Sequence, residues 1–208
     1  MPDSVPVVWC DDSLIVIDKP AGLLAVPGRG EHLQDCAAAR VQALHADAKL
    51  VHRLDQATSG LMVFGRGLAA QRALSRAFAE RRVTKRYIAI VAGQVVEEEG
   101  CIDLPLAADW PNRPRQQVDH ERGKASQTHW RVLSRDAVQG HTRLELEPVT
   151  GRSHQLRVHL LSIGHAIVGD ALYAPALPAP RLMLHASALT MPHPVDARAL
   201  NFSSAAPF

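Results

Sequence analysis

Cysteine is scarce in the 208-residue sequence, and long apolar runs and targeting signals are missing from it. The longest apolar runs are far shorter than the roughly 20 residues that a membrane-spanning helix requires. The start, MPDSVPVVWC, has no basic segment ahead of an apolar stretch, so it does not predict a secretory signal. The three cysteines, Cys10, Cys36 and Cys101, are too widely spaced to indicate a disulfide framework or a paired metal motif. We expect a soluble cytoplasmic protein without membrane contact, in which the three thiols are buried as small hydrophobic side chains.

Lysine is also scarce, and the cations that are present cluster. The net charge of +2 is too small to indicate nucleic-acid binding, but 19 of the 23 cationic residues are arginine. Between positions 66 and 86, seven cations face the single acid Glu80, which gives a local charge of +6. Such a patch can follow a phosphate backbone, or it can be a solvated helix face. The cations are Arg66, Arg72, Arg76, Arg81, Arg82, Lys85 and Arg86.

The spacing of apolar residues predicts a mixture of strands and helices. Strands are expected at 7–18 (two strands around a turn at 11–13), 61–64, 87–91, 126–133, 142–148 and 182–191. Helices are expected at 33–46, 68–82 and 154–162, the last with Ser153 as its N-cap. No internal repeat, convincing linker or regular βαβ rhythm is present. We therefore expect an α/β (α+β) fold, with a single catalytic domain over residues 1–208 around a mixed, largely antiparallel sheet with flanking helices.

Residues that carry chemistry concentrate in four segments, and the first is VHRLDQATSGL at 51–61. Asp55 follows Arg53 by two residues and precedes a Thr-Ser-Gly turn that leads into an apolar strand. A rigid strand behind such a loop can hold a carboxylate at the mouth of a cleft. The alternative is an aspartate that only accepts hydrogen bonds within its own turn, and spacing alone favours this alternative.

The second segment is Lys85-Arg86-Tyr87, and it contains one of only two tyrosines in the sequence. An aromatic ring beside cations can stack on an unpaired base while the cations bind phosphates. The alternative is a strand tyrosine with its ring in the core and its hydroxyl at the rim.

The third and fourth segments, GRSHQLRVHL at 151–160 and RLMLHA at 181–186, contain histidines. His154 and His159 are five residues apart, which does not suit the i, i+4 zinc pair of a helix. With no acid or cysteine nearby, we expect no metal. His185 on an apolar strand is interpreted as a core residue. Whether His52, His154 and His185 tune a site or only support it stays open.

Together these segments resemble the RluA family of pseudouridine synthases. HRLDQATSGL, KRY, GRSHQLRVHL and LHA match it in order and spacing, and KPAGL at 19–23 fits the family's early turn. The resemblance covers nearly the whole chain. The stretch DLPLAADWPNRPRQQ at 103–117 resembles in particular the small member that acts on transfer RNA (tRNA) and on 23S ribosomal RNA (rRNA). We therefore expect no S4-type RNA-binding domain.

The resemblance implies an isomerisation of uridine that needs no cofactor, because no atom is gained or lost. The N1–C1′ bond breaks, the uracil rotates, and C5 joins C1′. Asp55 is implied as the catalytic carboxylate, which either attacks C1′ or removes a proton at C2′. Both routes need an ionised Asp55, and the family pattern implies Arg157 as its partner, with Arg152 as a second candidate. Tyr87 is implied to stack on the uracil and could take the C5 proton, although a free phenol titrates near pH 10.

RNA is the expected partner, and the target nucleotide must leave its stack to be reached. Arg53 is predicted to fill the vacated space, because a planar guanidinium can both stack and donate hydrogen bonds. Phosphate contacts are predicted for Arg72, Arg76, Arg81 and Arg82. A second contact surface is predicted in the loop at 110–124, with Trp110, Arg113, Arg115, Arg122 and Lys124. We expect a monomer.

Two rival functions are considered. A glycoside hydrolase needs a second catalytic carboxylate, and the nearest candidate, Asp170, follows Gly169 in what the sequence indicates is a structural turn. An RNA-folding chaperone without catalysis would have no use for a carboxylate that faces RNA. Replacing Asp55 by asparagine separates catalysis from binding alone.

Overall fold

A computed structural model describes residues 5–208, which contain three α-helices and twelve β-strands. The helices are α1 Ala37–Leu44, α2 Gly67–Ala79 and α3 Gln155–Ser162. The strands are β1 Val7–Cys10, β2 Leu14–Lys19, β3 Ala48–Leu50, β4 Ser59–Arg66, β5 Thr84–Ala92, β6 Glu99–Asp103, β7 Leu106–Ala108, β8 Gln116–Val118, β9 Gln127–Asp136, β10 His141–Pro148, β11 Leu184–Pro192 and β12 Ala199–Ser203. No helix among the described residues has the length and apolar character needed to cross a membrane.

The chain divides into two structural units. The first unit comprises the described residues up to Lys85 together with Ala186–Pro207, and the second comprises Arg86–His185 with Phe208. The chain therefore passes from one unit to the other within β5 and returns within β11.

In the first unit the strand order is β1–β2–β4–β11, with β3 paired to β4 and β12 paired to β11. The pairs β1·β2, β2·β4, β3·β4 and β11·β12 are antiparallel. Strand β4, SGLMVFGR, is buried over its first seven residues, which explains why it has no alternation of polar and apolar residues. Leucine, valine and methionine side chains from β2, β4, β11 and β12 form one core with Leu74 and Ala77 of α2.

Helix α2 is amphipathic and presents its small apolar face to that core. Ala70, Leu74 and Ala77 are buried at the i, i+4, i+7 spacing of one helix face. Arg72 and Arg76 are exposed, because their positions fall on other faces of the helix.

In the second unit the strand order is β5–β10–β9–β6, and β7 and β8 form a separate two-stranded hairpin. All four pairings, β5·β10, β10·β9, β9·β6 and β7·β8, are antiparallel. Alternate residues of β10 are buried, as expected for a strand with one face on a core. Helix α3 is different, since its first six residues are all buried.

The predicted α/β fold, with largely antiparallel pairing and flanking helices, is confirmed. Each predicted strand region contains a strand, and the turn at 11–13 separates β1 from β2 as expected. The sequence did not predict β3, β6, β7, β8 and β12. These strands have three to five residues each, too few for an apolar period to stand out.

Two predicted helix boundaries are wrong. The helix expected at 33–46 begins only at Ala37, because the Cys36 side chain caps it by accepting from the Ala39 N–H at 3.3 Å. Ser153 is exposed and is not the N-cap of α3. His154 holds that position, with a left-handed backbone at φ 54°, and its side chain makes no cap hydrogen bond.

The prediction that all three cysteines are buried is confirmed for one of them and is wrong for the other two. Cys36 is buried, whereas Cys10 and Cys101 are exposed. Cys10 lies on β1 and Cys101 on β6, and each of these strands is at one end of the strand order in its unit. On β6 the exposed residues Glu99, Cys101 and Asp103 alternate with less exposed ones, so Cys101 lies on the uncovered face of the strand.

Candidate active site

Asp55 lies in the loop between β3 and β4, and a histidine side chain holds the start of this loop. The pairing of β3 with β4 ends at Leu50 opposite Phe64. The next available donor, the Val63 N–H, is accepted by His52 Nε2 at 3.1 Å. The His52 ring also stacks on Phe78 of α2, with ring centroids 4.7 Å apart. The His52 side chain thereby replaces the next backbone acceptor of β3, while the backbone itself turns away toward Asp55.

The His52 imidazole is neutral. Burial lowers its pKa to about 3, and the positive charge of Lys85 acts in the same direction. The hydrogen bond agrees with this, because Nε2 can accept from Val63 only while it carries a lone pair. The sequence left the role of His52 open, and the structure places it as a support of the Asp55 loop.

A fully buried lysine holds the other end of the loop. The Lys19 ammonium donates to the carbonyl oxygens of Pro20 at 3.0 Å, Leu23 at 2.8 Å and Gln56 at 3.2 Å. The Gly22 N–H donates to the same Gln56 oxygen at 2.9 Å. Gln56 directly follows Asp55, so these bonds tie the aspartate loop to the turn after β2. Sequence reasoning matched KPAGL to a family turn but did not identify this function of its lysine.

The Asp55 loop ends in a tight turn, followed by a position in β4 that requires glycine. The Thr58 N–H donates to the Asp55 carbonyl oxygen at 3.1 Å, which forms a tight turn before β4. Gly60 has φ 115°, and a Cβ there would lie 2.3 Å from the Ala186 carbonyl oxygen. No other residue fits this position without moving β4 away from β11.

In the second unit, Arg157 is a buried arginine on α3 whose orientation is set by a carboxylate. Its Nε donates to Asp170 Oδ2 at 2.8 Å and its Nη2 to Oδ1 at 2.7 Å. Arg157 and Asp170 retain only 6% and 2% exposure. Asp170 Oδ1 also accepts from the backbone N–H groups of Leu172 and Tyr173, at 3.1 Å each. The predicted structural turn at Asp170 is confirmed, but the prediction missed that the same carboxylate fixes Arg157.

Tyr173 packs beside this ion pair. The Arg157 guanidinium carbon lies 4.9 Å from the centroid of the Tyr173 ring, within cation–π range. The Tyr173 hydroxyl accepts from the Gln116 N–H at 2.7 Å and lies 2.7 Å from His154 Nδ1. Tyr173 was not predicted as a site residue, because these contacts join parts of the sequence that no local pattern connects.

His159 and His185, in the third and fourth segments, are buried. His159 Nδ1 lies 3.0 Å from Thr128 Oγ1 and Nε2 lies 3.0 Å from the Leu104 oxygen, and burial lowers the pKa of His159. His185 is buried at the start of β11, as predicted for a core residue. Within residues 5–208, no three His, Cys, Asp or Glu side chains cluster in a way that could hold a metal.

Comparisons with known proteins identify the family. The sequence profile described as RNA pseudouridylate synthase matches residues 13–162. The chain belongs to this family. Its predicted resemblance to pseudouridine synthases is thereby confirmed, and the chain is an enzyme that isomerises uridine in RNA.

Several relatives of this synthase match nearly its whole length. The dual-specificity RNA pseudouridine synthase RluA of Yersinia pestis is 49% identical over 205 residues, covering 97% of this chain and 99% of the relative. The protein of the same name from Escherichia coli is 47% identical, with 97% and 93% covered. Among solved structures, human RNA pseudouridylate synthase domain containing 1 has a TM-score of 0.82 at 28% identity, covering 100% of this chain and 87% of that one. Human RNA pseudouridylate synthase domain containing 4 has a TM-score of 0.76 at 25% identity, with 97% and 88% covered.

The other predicted site residues of the synthase are placed as follows. Tyr87 lies on β5 opposite Leu146 of β10 and is partly buried. Arg152 is exposed, and its Nε lies 3.4 Å from the Ala125 oxygen. Of the two arginines predicted as partners of Asp55, Arg157 is therefore buried and held in one orientation, whereas Arg152 is exposed.

The basic patch of the synthase is partly neutralised by the protein itself. Arg66 pairs with Asp47 at 3.0 Å, Arg82 with Glu80 at 2.8 Å, and Arg86 with Glu147 at 3.4 Å. Arg53, Arg72, Arg76 and Arg81 are exposed and form no ion pair with any residue in the described range 5–208. The second predicted surface, at 110–124, is mostly exposed, and Arg113 lies over the Trp110 ring at 4.3 Å.

Proposed function

We propose that Asp55, Tyr87 and Arg157 are the catalytic residues of this synthase. Asp55 acts at the ribose, Tyr87 stacks on the uracil, and Arg157 favours the ionised form of Asp55. The observation that supports this most is the buried Arg157–Asp170 pair. Asp170 binds Nε and Nη2 of the guanidinium and thereby fixes the orientation of this buried cation.

The proposed chemistry balances without a cofactor. Asp55 either attacks C1′ or removes a proton at C2′, and in both routes the N1–C1′ bond breaks. The uracil then rotates and C5 forms a bond to C1′, while either the Asp55–C1′ bond breaks or C2′ regains its proton. The C5 proton leaves to water, and N1 takes up a proton in its place. The rigid support of the Asp55 loop by Lys19 and His52 favours both routes equally, because each needs a carboxylate held at the sugar.

For the substrate, we propose a tRNA anticodon stem-loop and a 23S rRNA stem-loop. Relatives named as dual-specificity synthases at 45–49% identity support two RNA substrates. The target uridine is flipped out of its stack, and Arg53, which is exposed two residues before Asp55, fills the space. Arg72, Arg76, Arg82 and Arg152 bind phosphates. We further propose that residues 1–208 act as one catalytic domain, as a monomer without cofactor in the cytoplasm.

Tritium release from RNA labelled at uracil C5 tests this proposal. Isomerisation expels the label to water, whereas hydrolysis frees uracil with the label attached. We expect release by the wild type from both stem-loops and none by Asp55→Asn, with RNA affinity retained. Asp12→Asn, in an exposed turn of the same unit, is the matched control and keeps the wild-type rate.

Two outcomes would contradict parts of the proposal. Release by Asp55→Asn at the wild-type rate would remove Asp55 from the mechanism. If the wild type binds both stem-loops in a salt-sensitive manner but releases no label, the proposed substrates are wrong, and labelled total cellular RNA becomes the next substrate.

A further inference from the structure

The β7–β8 hairpin docks onto α3 directly beside Arg157. Leu106 of β7 packs with Val158 and Tyr173 in one apolar cluster, and Val118 of β8 packs against it. Val158 is the residue that follows Arg157 on α3. A two-stranded hairpin has little stability of its own, so its position depends on such contacts with the rest of the protein.

Tyr173 adds a polar connection to this apolar one. Its hydroxyl accepts from the backbone N–H of Gln116, the first residue of β8, at 2.7 Å. The same hydroxyl lies 2.7 Å from His154 Nδ1, next to the start of α3. The hydroxyl therefore bridges the hairpin to the N-terminus of the helix that carries Arg157.

The Tyr173 ring contacts an arginine from each of these two elements. The guanidinium carbon of Arg157 lies 4.9 Å from the ring centroid, and that of Arg115, at the end of the hairpin loop, lies 5.3 Å away. Tyr173 and Arg157 also share a carboxylate, because Asp170 Oδ1 accepts from the Tyr173 N–H and from Arg157 Nη2. A displacement of Tyr173 would thus disturb Arg157 through both its ring and its backbone.

We propose that Tyr173 is a positioning residue that couples the docking of the β7–β8 hairpin to the orientation of Arg157. The inference rests on the proposed catalytic function of Arg157. The hairpin loop presents exposed Trp110 with Arg113 stacked on it, a pair suited to stacking on a base and binding a phosphate. RNA that engages this loop therefore acts on an element that Tyr173 connects to the catalytic arginine.

The experiment compares Tyr173→Phe with a matched control. Tyr173→Phe keeps the ring but removes both hydroxyl hydrogen bonds. Thr142→Val removes a buried hydroxyl of the same unit that also makes two hydrogen bonds, one to the Gly93 oxygen and one from the Val95 N–H. For each protein, single-turnover tritium release at saturating RNA, RNA affinity, thermal midpoint and amide hydrogen exchange over residues 106–118 are measured.

We expect Tyr173→Phe to lower the single-turnover rate about tenfold, because a catalytic group that is slightly misplaced loses rate steeply. RNA affinity should be retained, and amide exchange in the hairpin should accelerate. Thr142→Val should lower the thermal midpoint but keep the rate per folded molecule and the hairpin exchange unchanged. A merely structural role for Tyr173 predicts the same pattern for both variants, and that result would overturn the proposal.

Other outcomes separate this inference from the proposed function. If Arg157→Met keeps the wild-type rate, the catalytic role of Arg157 is wrong and the inference falls with it. If the wild type releases no label from either stem-loop, only the substrates are wrong, and unchanged hairpin exchange in Tyr173→Phe would still overturn the coupling. Should Tyr173→Phe fail to fold, His154→Asn removes the ring nitrogen that the hydroxyl contacts, and asparagine tolerates the left-handed backbone there. A wild-type rate in that variant, with unchanged hairpin exchange, would overturn the coupling.

Discussion

Lys19 is a fully buried cation whose three assigned hydrogen bonds go to main-chain oxygens. A buried ammonium is tolerated only when its donors are satisfied, because removing a charge from water costs several kcal/mol. One of the three acceptors belongs to Gln56, directly after Asp55, so the stability of the first unit and the position of the Asp55 loop depend on the same side chain.

We predict that Lys19→Met destabilises the protein by about 3 kcal/mol, because buried carbonyl oxygens lose their donor. The rate of tritium release should fall as well, since the loop is no longer tied to the turn at 20–23. Urea unfolding measures the free energy of unfolding. Lys49→Met, on β3 and only partly buried, serves as the control and should cost less than about 1 kcal/mol. Equal losses for the two variants would contradict the assigned function of Lys19.

The end of the β3–β4 ladder shows how an element can be extended by a side chain. Backbone pairing stops at Leu50, and the imidazole of His52 supplies the acceptor for the next N–H of β4. This acceptor exists only while the ring is neutral, so this part of the sheet is sensitive to acid.

We predict that His52 makes the protein less stable as the pH falls. The folded-state pKa of about 3 is below the unfolded value, so the unfolded chain binds more protons once the pH drops under about 6.5. The contribution is fully present above that pH and is lost progressively toward pH 3. Between pH 6.5 and 4 the loss from His52 is at most about 3 kcal/mol, and residual solvent access to the ring reduces it.

Urea unfolding of the wild type and of His52→Gln across this range provides the measurement. Glutamine keeps an acceptor but does not titrate, so its unfolding free energy should fall less steeply with acid than that of the wild type. His159, whose pKa is also lowered, contributes equally to both proteins and cancels in the difference. Parallel curves for the two proteins would contradict the prediction.

At the scale of elements, the sequence predicted what local patterns encode. The apolar run of β4 and the i, i+4 spacing of α2 were sufficient to identify both elements. The boundaries of α1 and α3 were not predictable, because a cysteine caps one and a left-handed histidine precedes the other. Propensity rules favour neither residue at those positions.

At the scale of the whole molecule, motifs identified Asp55, Tyr87 and Arg157 as candidates, while the supporting residues were missed. Lys19 meets Gln56 across 37 positions, and Gln116 meets Tyr173 across 57. Contacts of this range leave no local period or spacing in the sequence. Asp55 and Arg53 belong to the first unit, and Tyr87 and Arg157 belong to the second.

The distribution of charge also matters at this scale, because the net charge is only +2. Three of the seven cations at 66–86 are bound to carboxylates, whereas Arg72 and Arg76 on α2 form no ion pair within the described residues 5–208. We predict that Arg72→Gln with Arg76→Gln weakens RNA binding and lowers the slope of log affinity against log salt by about 2. The single-turnover rate at saturating RNA should not change.

Arginines that are already bound to carboxylates provide the control for this prediction. Arg40 pairs with Asp35 at 2.7 Å and Arg198 with Asp196 at 3.0 Å, both in the first unit. Their double replacement by glutamine also removes two positive charges but should leave the salt slope near the wild-type value. The same reduction in both double variants would mean that total charge, and not the α2 surface, governs binding.

The attachment of the Asp55 loop has a consequence for how the protein tolerates mutation. The ammonium of Lys19 binds carbonyl oxygens of Pro20, Leu23 and Gln56, which every amino acid at those positions would supply. In a saturation library selected for catalysis, we therefore expect lysine at position 19 in almost every active variant. Positions 23 and 56 should remain permissive, so the sequence around Asp55 can diversify without releasing its loop.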